Sequence, residues 1–301
     1  MQKLQDLQKI NKWQAWLLAT RPKTLTLSIA PVLVGTLLAY TQVPINWNIA
    51  LFALLVALCI QIGTNLINDA LDFKKGADTS SRLGPMRVTQ SGLIPMKHVY
   101  IGGIAAFALA LLFGLPLVIH GGWPIAVLLA ISVICGYAYT GGPKPLAYHG
   151  LGEIFVLLFF GWAGTCVSYA LQTGFIEAKV SLAGTQIGLF AMLPIAINNL
   201  RDNRDDAKVN KRTLAVRFGR VFALYEISVF AFLPFGLNIF WFFIDLKLAA
   251  MLPLLTLPLA NGLVRGIWNA EQGSTYLPYF AKSVILQLVF CTLLCIGILL
   301  S

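Results

Sequence analysis

The residues most able to do chemistry stand in two matched sets. In NLINDALDFKKGAD (65–78), Asn65, Asn68, Asp69 and Asp72 are spaced i, i+3, i+4 and i+7, which puts four polar side chains on one face of a helix. IAINNLRDNRDDAKVNKRTLAVRFG (195–219) repeats the device with Asn198, Asp202, Asp205 and Asp206, and Asn199 beside them. Two carboxylates about 5 Å apart repel by roughly 3 kcal/mol at an effective dielectric near 20, so such clusters call for a positive occupant. Oxygen donors with no cysteine or histidine among them select a hard cation, and Mg²⁺ characteristically completes its shell with water and phosphate oxygens. Fixed cations crowd the same stretches: Arg21, Lys23, Arg82, Arg87, Lys144, Arg201, Arg204, Lys211, Arg212 and Arg217. Carboxylates able to hold Mg²⁺, ringed by Arg and Lys, make a diphosphate site. The competing reading, in which these residues merely end helices and pair at the surface, explains one such loop well and two matched loops poorly.

The elements that must position these clusters are membrane helices. Of the 301 residues 58% are hydrophobic and only 11% charged, against roughly 25% charged in a soluble domain. Apolar runs long enough to cross the bilayer are expected near 24–40, 48–67, 99–119, 123–139, 154–172, 181–200, 221–244, 248–264 and 283–300. The fold class is thus an all-α membrane protein with nine transmembrane helices. The first twenty residues lack the apolar core of a signal peptide; Leu4, Leu7, Ile10, Trp13, Trp16 and Leu17 fall on one stripe, as in a helix lying at the headgroups. Nine crossings put the termini on opposite sides, and of the 22 Lys and Arg only Lys179 and Lys247 then fall away from the N-terminal side. The positive-inside rule places that side in the cytoplasm. The net charge of +10 therefore belongs to one membrane face, and no nucleic-acid-binding pattern accompanies it. A diphosphate site at the edge of hydrocarbon implies that the rest of its ligand lies in lipid, which points to a polyprenyl diphosphate.

At this point the sequence resembles the UbiA superfamily of intramembrane aromatic prenyltransferases, in particular its naphthoate-acting branch. The resemblance covers nearly the whole chain and rests on RPKTLTLSIAPVLVGT (21–36), NLINDALDFKKGADTSSRLGPMRVTQSGLI (65–94), YTGGPKPLAYHGLGEIFVLLFFGW (139–162) and NNLRDNRDDAKVNKRTLAVRFG (198–219). It implies one membrane-embedded domain over 1–301, an interfacial segment at 1–20, cytoplasmic cap loops at 68–98 and 201–220 after the second and sixth crossings, and a cavity open sideways to lipid. It also implies a metal set of Asn68, Asp69, Asp72, Asp202 and Asp206. Asp69, Asp72, Asp202 and Asp206 would be catalytic, and Asn65, Asn68, Asn199, Arg21, Arg82, Arg87, Lys211, Lys144 and Tyr139 would contact the substrates. Two positions depart from the pattern. Gly76 stands where the superfamily often has a further acid, which comes instead at Asp78, and Asn210 replaces a usual glycine, although asparagine tolerates a left-handed backbone.

The implied reaction is Mg²⁺-dependent transfer of a polyprenyl group to the ring of 1,4-dihydroxy-2-naphthoate, with loss of CO2 and a proton. The diphosphate leaves with its charge neutralised, and an aromatic face such as Tyr139 or Trp162 shields the allylic cation. Other acceptors within the superfamily, such as 4-hydroxybenzoate, a phytyl-type acceptor or haem, are alternatives. So is a cation-coupled transporter, although transporters usually place such acids near the midplane on broken helices. His98, His120 and His149 have no metal or base spacing. Cys59, Cys135, Cys166, Cys291 and Cys295 read as small core residues, and Gly102, Gly103, Gly161 and Gly164 as points of close helix packing. Glu226 is the one acid inside an apolar run and is expected to face the bundle; no role is assigned to it or to Asp205.

Overall fold

In a computed structural model the chain is described over residues 10–78, 83–271 and 273–301. Leu4 and Leu7 of the N-terminal stripe, and Arg82, lie outside the described residues. Every element among them is helical: α1 Lys12–Thr20, α2 Pro22–Tyr40, α3 Trp47–Lys74, α4 Met96–Gly121, α5 Trp123–Ala138, α6 Gly152–Thr173, α7 Ala178–Lys208, α8 Leu214–Phe243, α9 Lys247–Asn269 and α10 Ser274–Leu300. Eight of these, α2–α4 and α6–α10, are long and apolar enough to cross a bilayer. The fourth expected crossing is the 16-residue α5, about 24 Å long at 1.5 Å per residue.

The two clusters owe their position to helix length. α3 has 28 residues and α7 has 31, about 42 and 46 Å against a hydrocarbon layer of about 30 Å. Their last turns overrun the apolar stretch, and those turns carry the acids. α7 is also the most enclosed of the long helices, because it is apolar on nearly every side up to Asn198. It packs on α8, on the middle of α6 and on α10. Near its other end Gln186 Nε2 donates to the Pro234 carbonyl and to Asn238 Oδ1, while Gln186 Oε1 accepts from Trp241 Nε1. This closed polar network ties α7 to α8 in a buried region.

The outer surface is largely apolar, with Ile119, Leu112, Phe243 and Leu255 exposed among many others, as expected of a belt facing lipid tails rather than water. All five cysteines are free and buried or half-buried. α1 begins with a reciprocal cap, Gln14 N donating to Asn11 Oδ1 and Asn11 N to Gln14 Oε1. It turns into α2 through Arg21 at φ 54°.

Close approach of α6 and α7 depends on glycine. A Cβ at Gly161 would stand 2.6 Å from the Gly184 carbonyl oxygen and 3.0 Å from the Gly188 Cα. Both are backbone atoms of a buried helix and cannot swing aside. Gly161→Ala is expected to destabilise the bundle by about 1–3 kcal/mol, read as a lower unfolding temperature in detergent; an unchanged temperature would contradict this packing.

Candidate active site

At the end of α3, Asp72 is 7% exposed and faces the bundle interior. Its Oδ1 accepts from the Tyr148 hydroxyl at 3.0 Å, and its Oδ2 stands 3.7 Å from an Arg87 guanidinium nitrogen. Arg87 also reaches Asp78 Oδ2 at 3.3 Å, so one cation spans two carboxylates. Asn68, one turn earlier, accepts through Oδ1 from the Thr140 hydroxyl at 2.7 Å. Lys75 Nζ donates to the Thr140 carbonyl and lies 4.5 Å over the Tyr148 ring.

Asp69 does a different job. It is 2% exposed, and its two oxygens accept the backbone N–H groups of Val88 and Thr89 at 3.2 and 3.0 Å. Val88 in turn is buried among Ala15, Ala19, Leu66, Ala70, Ile94 and Val99. The carboxylate thus fastens the segment that carries Arg87 onto α1, α3 and α4. Asp69→Asn keeps one acceptor oxygen and leaves one of the two N–H groups unpaired. We expect a local loss of about 1–3 kcal/mol, seen as faster proteolysis between 83 and 95 and a raised KM for the diphosphate. Unaltered cleavage would sink that role.

At the end of α7, Asp202 is gripped by Arg201 through Nε at 2.6 Å and a terminal nitrogen at 2.7 Å. Asp206, one turn on, pairs with Lys211 Nζ at 3.2 Å. The chain reaches Lys211 by turning back through Asn210 at φ 56°, the left-handed geometry anticipated at that position. Burial alone would lower the Lys211 ammonium, but the charges of Asp206, Asp72 and Asp202 outweigh it and raise its pKa. Lys211 is therefore a fixed cation. Asp205 points elsewhere and pairs with Lys208 at 2.7 Å.

Tyr148 joins the clusters. Its hydroxyl bonds Asp72, its ring lies 5.9 Å below Lys211 Nζ, and its carbonyl accepts from Arg212 N at 2.9 Å. Arg217 adds a bond to the His149 carbonyl at 2.9 Å. The segment after α5 is therefore wedged between the tips of α3 and α7. Burial first, then the Asp72 and Asp206 charges, push the Tyr148 phenol far above its ordinary pKa, so the ring stays neutral between them.

Both tips open on one cavity of about 340 Å³. Its polar end is lined by Arg21, Asn68, Asp72, Arg87, Asp202 and Lys211, and Asn65, Asn198, Asn199, Tyr139 and Glu153 also face it. It continues between apolar walls to Leu117, Ile125 and Leu171, near the other ends of α4, α5 and α6. α6 is wound as a π-helix over Leu157–Val167, a rare local widening that presents Phe159, Phe160 and Gly164 to the cavity.

The sequence-derived residues therefore divide. Asn68, Asp72, Asp202, Arg21, Arg87, Lys211, Tyr139, Asn65 and Asn199 come together at the cavity, while Asp69 and Asp206 stand behind it and hold other groups. Asn65 spends its amide nitrogen on the Thr20 carbonyl and the Thr24 hydroxyl, at 2.9 and 3.0 Å. Lys144 is exposed and away from the lining. Trp162 is 44% exposed and donates to Thr185 Oγ1, so it shields nothing in the cavity. Sequence reasoning passed over Lys75, Thr140, Tyr148 and Glu153. Tyr148 and Glu153 carried a signal, since both lie in the YTGGPKPLAYHGLGE stretch already singled out.

Among the described residues no three Asp, Glu, His or Cys side chains form a ready metal cage. Each tip instead presents one carboxylate to the cavity, with Asn68 adding an amide oxygen. That donor set suits a hard divalent cation which draws its remaining ligands from phosphate oxygens and water.

Three comparisons bear on this arrangement. The model of the UbiA prenyltransferase family matches residues 28–296. The chain is 40% identical, over 71% of its length and 71% of the relative's, to the 1,4-dihydroxy-2-naphthoate octaprenyltransferase of Escherichia coli (strain K12). It is 33% identical, over 96% of its length and 97% of the relative's, to the enzyme of the same description from Haemophilus influenzae. Among solved structures it is similar to a UbiA homologue from Archaeoglobus fulgidus bound to DMAPP and Mg²⁺, with TM-score 0.66, 17% identity and coverage of 93% and 98% of the two chains. A UbiA homologue from Aeropyrum pernix K1 superposes with TM-score 0.70 at 15% identity, over 92% of this chain and 97% of that one. At those identities the structures speak for the fold, and the family match and the curated relatives for the chemistry. The chain is a multi-pass membrane enzyme and belongs to the UbiA prenyltransferase family.

Proposed function

We propose that this enzyme transfers a polyprenyl group from its diphosphate to the ring of 1,4-dihydroxy-2-naphthoate, with loss of CO2, using Mg²⁺ at the shared mouth of α3 and α7. The observation that carries the reading is the single cavity that begins between Asp72 and Asp202 and runs on between apolar walls. A diphosphate fits the charged end and a prenyl chain the greasy one. The relatives named for naphthoate prenylation support the choice of acceptor.

In this reading Asn68, Asp72 and Asp202 hold the ion, and Arg87 and Lys211 turn to the phosphate oxygens. Mg²⁺, when bound, supplies Lewis-acid neutralisation of the leaving diphosphate. Asp69 and Asp206 position Arg87 and Lys211, and the neutral Tyr139 and Phe155 rings face the allylic end. The dry apolar walls exclude water that would quench a carbocation. The topology belongs to the same proposal: with α5 as a short ninth crossing, the N-terminus and both acidic tips lie on the cytoplasmic side of the plasma membrane and the C-terminus on the other. The segments after α3 and α7 then form the cytoplasmic cap.

The test supplies purified enzyme with one polyprenyl diphosphate, Mg²⁺ and, in turn, 1,4-dihydroxy-2-naphthoate, 4-hydroxybenzoate and no acceptor, and identifies products by mass. The reading expects a decarboxylated, prenylated naphthoquinol in the first case and none without Mg²⁺. Prenylated 4-hydroxybenzoate with unchanged naphthoate would overturn the acceptor, and substrate movement across vesicles without any new C–C bond would overturn the enzyme.

A further inference from the structure

Glu153 is the second residue of α6 and 2% exposed. Its Oε1 accepts from Asn199 Nδ2 at 2.7 Å, but its Oε2 is buried without a hydrogen-bond partner among the described residues although the side chain lines the cavity. Nearly every buried polar oxygen finds a partner. One left open toward a cavity favours a ligand that brings a donor. The prenyl chain has none, and a diphosphate, itself anionic, would be repelled. A hydroxyl on the aromatic second substrate brings one.

Resting on the function proposed above, we infer that Glu153, oriented by Asn199, is the acceptor-binding residue that takes the hydrogen bond of a ring hydroxyl on the aromatic substrate. Its place suits that job. Asn199 precedes Asp202 by three residues, about one turn of α7, so a ring held at Glu153 lies beside the diphosphate end. Phe155 and Phe159, with ring centroids 6.1 Å apart and nearly parallel, line the same cavity from the next turns of α6 and offer the ring an apolar wall.

The geometry also gives the hydrogen bond a part in the rate. As the allylic C–O bond breaks, its electron pair leaves with the diphosphate, and a π pair of the ring forms the new C–C bond. The ring then carries positive charge, and its hydroxyl becomes a stronger donor to Oε2. When the bond to the carboxylate carbon breaks, its pair restores the aromatic ring and CO2 departs. The hydroxyl proton stays on its oxygen throughout, so atoms and charge balance without a further reactant. An interaction that strengthens in the charged state raises kcat rather than merely lowering KM.

The experiment compares wild type with Glu153→Gln, using 1,4-dihydroxy-2-naphthoate and its two mono-O-methyl ethers at saturating polyprenyl diphosphate. Wild type should discriminate against one of the two ethers by on the order of a hundredfold in kcat/KM. Glu153→Gln should lose a similar factor with the dihydroxy acceptor, shrink the discrimination to under tenfold, and keep the KM for polyprenyl diphosphate within twofold. Equal loss with all three acceptors would mark Glu153 as purely structural and overturn the inference while the proposed function stands. Discrimination of less than tenfold by wild type against both ethers would overturn it even if the variant does not fold. No prenyl transfer by wild type to any acceptor would remove the proposed function and this inference with it.

Discussion

Asp72→Asn and Asp202→Asn are each expected to lower kcat by about a thousandfold, roughly 4 kcal/mol of transition-state stabilisation, with little change in thermal stability for Asp72→Asn and a measurable loss for Asp202→Asn, whose partner Arg201 is a buried cation. Each substitution keeps the size of the side chain and its nearest hydrogen-bond acceptor. Tyr148 still finds an oxygen at position 72 and Arg201 one at position 202. What disappears is one of the two helix-tip carboxylates that face the cavity, and with it the charge proposed to retain the ion. Because both are proposed to act on a single ion–diphosphate unit, the double variant should be scarcely slower than either single one. Product formation at saturating Mg²⁺ decides the matter: losses that multiply would mean that the two tips work separately.

Lys211→Met is expected to show the largest stability effect. Its partner Asp206 has a side chain only 9% exposed, and the two lie 3.2 Å apart. Removing the cation leaves a buried carboxylate unpaired, a change worth about 3–5 kcal/mol when one member of such a pair is lost. Lys211→Met with Asp206→Asn should recover most of that stability, because the orphaned charge is gone, but little of the activity, because the phosphate loses its cation. Unfolding midpoints and prenyl transfer measured on the same preparations separate the two effects. A single variant as stable as wild type would mean that Asp206 is solvated or otherwise partnered.

The sequence made the helix ends legible because polar spacing at the end of an apolar run has few other uses. The overrun of α3 and α7 followed from hydrophobic length, and their convergence on one cavity matched the expectation of paired motifs. The left-handed turn at Asn210 is one that asparagine tolerates at a position where the family usually has glycine. What sequence could not decide was which acid of each cluster faces inward. Asp69 and Asp72 are less than one turn apart, and only the fold of the 83–95 segment onto α3 turns Asp69 into a loop anchor. Asp202 and Asp206 divide in the same way once Lys211 returns to the second. Tyr148 was missed because its role depends on a loop wedged between two distant helix tips, a relation that no local spacing records. Glu153 was passed over, since burial and an unpartnered oxygen are properties of packing. Lys144 and Trp162 fall outside the cavity lining, because residue type and nearness in sequence do not fix on which side of a loop or helix a side chain falls.

The central claim is that the α3 and α7 tips share one metal-bound diphosphate. Its most direct measurement is the magnetic coupling between enzyme-bound Mn²⁺, replacing Mg²⁺, and the phosphorus nuclei of an unreactive thiolo analogue of a prenyl diphosphate. A resolved phosphorus coupling is expected in wild type, and its loss in both Asp72→Asn and Asp202→Asn. A coupling that survives intact in either variant would contradict it.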